Sequence, residues 1–394
     1  MEDEITRLFS EFDRGKVSRR QLLQTLGFAA AAAAVPMNLF AQGRCGGAAA
    51  GTANCDTTPA KAPFAPTGWK TVYMDHFSLQ CADYKKEAAY YAALMNWKVR
   101  SDDGTKAYMD IGDNVGGVIL RGGYVAPPPP PPRVLTAAES TAVAARAGGG
   151  GGRGGAGGGR ARTPLTAVWD SYCWGIEPWD TKKVEAELTK RGLNPVADHD
   201  GKDFQSFHVK DPDGFDVQIS NGSKKNRRIG APNGSLGVAA PFDSSPLKTV
   251  WLDHISFAVT NYKESTAWYE ALLGWKGTGD EGSQNECQIG ELGNIIVRGT
   301  SGIVRPGADS TGRGAQAMAP RKAVINHISF GIAPWDTDGV LGELTKRGLT
   351  ARPDTGGTID IHDAAAKYKS YHTTTPGGWD LQISNATKET RQVR

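Results

Sequence analysis

Residues 250–259 read VWLDHISFAV and residues 324–332 read VINHISFGI. The two stretches are copies of one another, with His254 and His327 at the matching point. A third copy, VYMDHFSLQC at 72–81, carries His76, and a fourth, AVWDSYCWGI at 167–176, carries Ser171 instead. Such patterning predicts strands, on which side chains alternate between faces. Residues 254, 256 and 258 then share one face, and the apolar Ile255, Phe257 and Val259 share the other. The apolar face suits packing under a helix, so His254 and Ser256 turn the opposite way. His327 and Ser329 follow the same split against Ile328 and Phe330.

Each copy opens a module of strand, helix and further strands. Helices are expected at 84–96, 179–191, 262–273 and 336–347. A long-period duplication overlies the short one: Pro178-Trp179-Asp180-Thr181 recurs as Pro334-Trp335-Asp336-Thr337, and Gln218-Ile219-Ser220-Asn221 as Gln382-Ile383-Ser384-Asn385. Modules one and two are therefore copied as three and four. Between the first two lies a polyproline run at 127–132, then a tract at 148–162 that is almost only Gly, Ala and Arg. Neither can bury enough apolar surface to order itself, which predicts a disordered surface insertion over 125–164.

The 394 residues suffice for two domains with real cores, and a net charge of +3 makes no electrostatic case for nucleic acid. Ser18-Arg19-Arg20-Gln21-Leu22-Leu23 followed by an Ala-rich apolar stretch reads as a twin-arginine export signal over 1–42. That stretch is too short for a stable membrane span. The expected partner is the twin-arginine export machinery, and the expected location periplasmic or extracellular. Cys45 and Cys55 could pair there, whereas Cys81, Cys173 and Cys287 fall on strands and read as buried thiols. The domain plan is a linker at 43–68, an N-terminal domain at 69–222, a linker at 223–247, a C-terminal domain at 248–386 and a tail at 387–394.

Over roughly residues 69–386, the insertions aside, the chain resembles the vicinal oxygen chelate superfamily of glyoxalases, bleomycin-resistance proteins and extradiol dioxygenases. The resemblance rests on the histidine of the first strand, on Trp268-Tyr269-Glu270-Ala271-Leu272-Leu273-Gly274-Trp275 closing a helix, and on the turns Asp211-Pro212-Asp213-Gly214 and Thr375-Pro376-Gly377-Gly378. It implies an α+β fold of four βαβββ modules, paired into two cup-shaped domains. Metal-dependent members take ligands from the first strand of each paired unit and from a last strand. Carried onto this chain, that set is His254, His327 and Gln382, holding a divalent metal: Fe(II) or Mn(II), with Zn or Ni as alternatives.

Gln382 stands where extradiol members have Glu, and Asp380 shares its face of the strand. The resemblance also points to His372 and His362 as acid/base groups, with the solvated loop as the other reading of His362. In the N-terminal cup His76, Ser171 and Gln218 occupy the equivalent points, and Ser is a poor ligand, so that cup reads as metal-free. His208 and His199 echo the acid/base pair there without a metal partner. Arg121 and Arg298 recur after the fourth strand of the odd modules, either as guides for an anionic substrate or as solvated strand ends. Val297 is read as an empty fourth ligand place. Two functions follow: a metal-assisted dioxygenase or glyoxalase-like enzyme acting on a small substrate with vicinal oxygens, or a metal-free sequestering protein of bleomycin-resistance type. Four modules in one chain can close both cups internally, so monomer and homodimer are both open.

Overall fold

A computed structural model describes residues 57–125, 165–198, 203–228, 235–299 and 323–390. From Thr58 onward these belong to one compact unit. The export signal, the Pro/Gly insertion, Cys45, Cys55 and His199 lie outside the described residues.

The first half contributes β1 (Lys70–Cys81), α1 (Tyr84–Met95), β2 (Lys98–Asp102), β3 (Lys106–Ile111), β4 (Gly116–Arg121), β5 (Ala167–Glu177), α2 (Thr181–Lys190), β6 (Val196–Asp198), β7 (Ser206–Lys210) and β8 (Asp216–Ser220). The second half repeats it as β9 (Thr249–Val259), α3 (Tyr262–Leu273), β10 (Lys276–Asp280), β11 (Gln284–Ile289), β12 (Gly293–Gly299), β13 (Val324–Ile332), α4 (Thr337–Lys346), β14 (Arg352–Asp354), β15 (Ser370–Thr374) and β16 (Asp380–Ser384). Each half makes one eight-stranded mixed sheet, β2-β3-β4-β1-β5-β8-β7-β6 and β10-β11-β12-β9-β13-β16-β15-β14. The first strands of paired modules run antiparallel at the centre, and each is flanked by the last strand of its own module in parallel. The fold is thus the α+β arrangement of two paired-module domains.

The core is where the alternation places it. Ile255, Phe257 and Val259 are fully buried, and Phe257 packs on Tyr269 of α3. Aromatic rings also join the halves crosswise, with Phe77 of β1 6.3 Å from Phe330 of β13 and Tyr172 of β5 5.6 Å from Phe257 of β9. Cys81, Cys173 and Cys287 are buried free thiols, as expected. Val297 pairs with Phe257 and is fully buried on this core face, so it is no ligand place; its neighbours Ile296 and Arg298 lie on the histidine face.

The stretches read as linkers are packed straps in their described parts. Arg191 at the end of α2 donates to the carbonyl of Ala65 and lies over the Phe64 ring, while Thr67 N–H donates to Ala271 of α3. The second strap repeats every element: Arg347 at the end of α4 donates to Asp243, lies over Phe242, and Ser245 N–H donates to Ala93 of α1. Each strap therefore ties a helix of one half to a helix of the other. The recurrence of Ala62-Pro63-Phe64 as Ala240-Pro241-Phe242 was the sequence signal for it.

The duplicated joints differ in where they place a buried acid. At one, Glu87 of α1 meets the turn before β16, accepting from the Thr375 hydroxyl at 3.5 Å, with its other oxygen unpartnered among the described residues. A Cβ added at Gly377 would sit 2.4 Å from the Glu87 carboxylate. At the other, the helix carries Ser265 and the turn carries the acid: Ser265 donates to Asp213 at 2.9 Å, and Tyr269 to Asp211 at 2.7 Å. The carboxylate has changed sides between the copies.

The repeated helix starts also diverge. Asp180 accepts from Lys183 N–H at 3.0 Å, whereas its copy Asp336 makes no side-chain cap bond. Asp180→Ala is expected to cost about 1 kcal/mol and Asp336→Ala a few tenths, read from urea unfolding of each variant. Equal losses would show that both cap.

Candidate metal centre

His254 and His327 come from the two central strands of the second sheet, and their Nε2 atoms lie 2.9 Å apart. Register explains the meeting. His254 pairs with Ser329, Ser329 with Gln382, and Gln382 with His372, so these four form one row across β9, β13, β16 and β15. His327 and Asp380 form the next row on the same face. Strict alternation would send Asp253 to the core. The pairing of β9 with β13 slips there, from His254 opposite Ser329 to Leu252 opposite Phe330. Such a bulge re-aims one side chain and brings Asp253 to the histidine side.

Asp253 then organises the pair. Its Oδ2 accepts from the Ser329 hydroxyl and the Tyr368 hydroxyl, both at 2.7 Å, and lies 3.4 Å from His254 Nδ1. Burial alone would raise this carboxyl, but His254, Tyr368 and Ser329 together hold it well below the usual range. An ionised Asp253 calls for a proton on His254 Nδ1, which leaves the Nε2 lone pair directed at His327. His327 is held neutral, its pKa pushed down to about 2 chiefly by burial, with the nearby His372 and Arg298 cations pushing the same way.

Gln382 supplies a third neutral donor. Its amide nitrogen donates to Ser370 at 2.8 Å and Tyr368 at 3.0 Å, with Asp354 at 3.5 Å. That orientation leaves Oε1 buried with no partner among the described residues. Two imidazole Nε2 atoms, which can both present lone pairs once their mutual hydrogen bond gives way to a cation, and an amide oxygen with no partner among the described residues are a donor set that fits a divalent cation.

His372 is differently placed. Its Nδ1 is 3.1 Å from both oxygens of Asp380 and its Nε2 3.4 Å from Asp354. Burial would lower its pKa, but the two carboxylates outweigh it and raise it to about 9. His372 is an imidazolium with both nitrogens engaged, its ring edge-on to His327 at 5.1 Å. His362 lies in an exposed loop, where its partners are Asp338 at 3.6 Å and the Asp360 turn rather than any member of this group. Sequence reasoning passed over Asp253, Asp354 and Tyr368. The Asp-His dipeptide repeated at 75–76 and 253–254 was a usable signal, but nothing local marks the other two.

The first sheet repeats the clamp and alters the centre. His208 lies 2.7 Å from Asp216 and 3.2 Å from Asp198, and these carboxylates raise it to about 9 against the pull of burial. Its charge stabilises the fold fully below the ordinary His value of 6.5, and that contribution is lost as pH rises through about 9. Proton NMR of the His208 ring is expected to show one midpoint near 9; a midpoint near 6.5 would mean the clamp does not form. At the centre Ser171 replaces His327, and His76 Nε2 is buried without a partner among the described residues. Asp75, His76 and Cys173 place ligand atoms within 4.8 Å of one another. However, burial holds the Cys173 thiol protonated, and it donates to Ser220. Asp75 is already bonded to His76 Nδ1 and to Arg228 N–H.

No family model matches the chain, and no curated protein matches it. Among solved structures, the Mn(II)-bound glyoxalase from Novosphingobium aromaticivorans is similar over 83% of this chain and 87% of its own, at 13% identity and a TM-score of 0.50. A catechol 2,3-dioxygenase matches over 82% and 90%, at 12% identity and TM-score 0.49. The 2,3-dioxygenase LapB from Pseudomonas sp. KL28 matches over 80% and 92%, at 13% identity and TM-score 0.48. At such identities the likeness speaks to architecture, and the fold of this chain is the two-domain vicinal oxygen chelate fold.

Proposed function

We propose that the C-terminal cup is a metal-assisted enzyme site for a small substrate with vicinal oxygens, with His254, His327 and Gln382 as the metal-holding residues. The observation that carries this reading is the 2.9 Å approach of two imidazole Nε2 atoms, with an amide oxygen in the same row of the sheet that has no partner among the described residues. Fe(II) or Mn(II) suits a set of two imidazoles and one oxygen, with Zn or Ni as alternatives. Bound there, a divalent metal would supply Lewis-acid polarisation of the substrate oxygens.

The chain's own residues have distinct parts. Asp253 fixes the His254 tautomer and, through Tyr368, the orientation of the Gln382 amide. Asp354 and Asp380 keep His372 charged, and its imidazolium in turn holds those two carboxylates in place beside the site. In this state His372 is a charge and hydrogen-bond anchor, because a proton acceptor needs a free lone pair. The Tyr368 hydroxyl already spends its proton on Asp253. Export through the twin-arginine route would suit a protein loaded with metal before transport.

A metal-free sequestering protein is the second reading, favoured by the fact that His254 and His327 satisfy one another in direct hydrogen-bond contact. Elemental analysis of the purified full-length protein, followed by assay with catechols and with methylglyoxal–thiol adducts, separates the two. About one equivalent of metal with turnover supports the enzyme. Background metal, together with ligand binding unaffected by chelator, would leave only the second reading.

A further inference from the structure

The two cups share a scaffold but differ in what reaches its oxygen donors. In the C-terminal cup Gln382 Oε1 has no partner among the described residues. In the N-terminal cup the copy of that atom, Gln218 Oε1, accepts from Arg228 Nη1 at 3.4 Å. Arg228 Nη2 reaches Asp198, the copy of Asp354, at 2.8 Å, and its backbone N–H reaches Asp75, the copy of Asp253, at 3.0 Å. The guanidinium side chain is only 6% exposed. Its segment is pinned on both sides: Arg100 donates to the Arg228 carbonyl at 2.5 Å, and Arg227 donates to the carbonyl of Gly116 at 3.1 Å. The place of the second central histidine is taken by the smaller Ser171 in this half. A buried cation is costly unless paired and hydrogen-bonded, and these partners meet that condition.

We propose that Arg228 is a chain-borne cation occupying the N-terminal cup, and that removing its side chain opens a binding site for a small cation on Asp198, Gln218 and His76. Of these, His76 Nε2 is a buried lone-pair site with no partner among the described residues, on the same crevice that Arg228 and Arg100 line. The N-terminal cup would then be closed to substrate, which confines ligand chemistry to the C-terminal half. The proposal does not need a metal in the C-terminal cup, and its test is run with His254→Ala in every background, so that the two ideas fail separately.

Thermal unfolding of the full-length protein is the readout. Arg228→Ala is expected to lower Tm by roughly 5–10 °C. Millimolar methylguanidinium chloride, or Mn(II), should then recover several degrees in Arg228→Ala and none in the chain that keeps Arg228, both against potassium chloride of equal ionic strength. Equal responses of the two proteins would overturn the proposal. Should Arg228→Ala fail to fold, Arg228→Lys against Arg228→Gln carries the test. The charged variant should keep the higher Tm by several degrees, and a Gln variant as stable as the Lys variant would show that no cation is required.

Discussion

Replacing His327 by alanine is expected to weaken Mn(II) binding by the full-length protein at least about 100-fold. Loss of a residue that merely supports a ligand already costs about 10- to 100-fold in affinity, and His327 is one of only two imidazoles in the set. Neutral His327 brings no charge of its own to the cluster, so its removal deletes a donor without removing a cation. Gln382→Glu tests the third position in the opposite direction. A carboxylate restores one negative charge, and roughly tenfold tighter binding is expected. Without metal the same variant should be less stable than the parent. The amide nitrogen that donates to Ser370 and Tyr368 becomes an acceptor placed near Asp354. Calorimetric titration with Mn(II) and urea unfolding with and without metal read both effects. Unchanged Mn(II) binding in His327→Ala would remove this centre and direct attention to Asp75, His76 and Cys173, for which Cys173→Ala is the matching variant.

Glu87→Gln should stabilise the protein by about 2 kcal/mol at pH 8 and lose that advantage in acid. Burial raises the Glu87 carboxyl from 4.5 to about 7, against weaker pulls from Gly377 N–H and Thr375. The folded protein therefore keeps a proton that the unfolded chain releases. Its contribution to stability is fully present below about pH 4.5 and is lost as pH rises through about 7. The gap corresponds to about 3 kcal/mol, from which about 1 is subtracted because the new amide nitrogen inherits the unpartnered place of the second oxygen. Unfolding free energies of both proteins from pH 4 to pH 8 would show curves that diverge upward. Parallel curves would mean that Glu87 ionises freely and that the joint between the halves is not pH-sensitive.

Architecture was largely legible in the sequence because it depends on local periodicity. The run His254-Ile255-Ser256-Phe257 states by itself which face is core, and Phe257 is fully buried while pairing stays in register. Helix limits were also close, since Gly192, Gly274 and Gly348 end the helices with positive φ where other residues would be strained. The recurrence of the Pro-Trp-Asp-Thr and Gln-Ile-Ser-Asn segments gave the pairing of modules, now seen as two sheets with the same strand order.

The chemistry of the site was legible only in part. That His254, His327 and Gln382 share one face of the sheet could be read, because strand position and duplication are properties of the chain read in order. What each can do depends on partners far away in sequence. Asp253 reaches His254 through a bulge that alternation cannot foresee, and Tyr368 reaches Asp253 across 115 positions. His372 keeps its proton because Asp354 and Asp380 close on it from adjacent strands, and His362, near it in sequence, ends on the outer loop. The same Gln is left with a bare oxygen in one cup and capped by Arg228 in the other, although the local sequences around Gln218 and Gln382 are nearly identical. The sequence alone determined the modules, their pairing and the face that carries the histidines, since periodicity and repetition are local. Protonation, tautomer and donor availability were decided only by the tertiary structure, because electrostatics and hydrogen bonding act between neighbours in space.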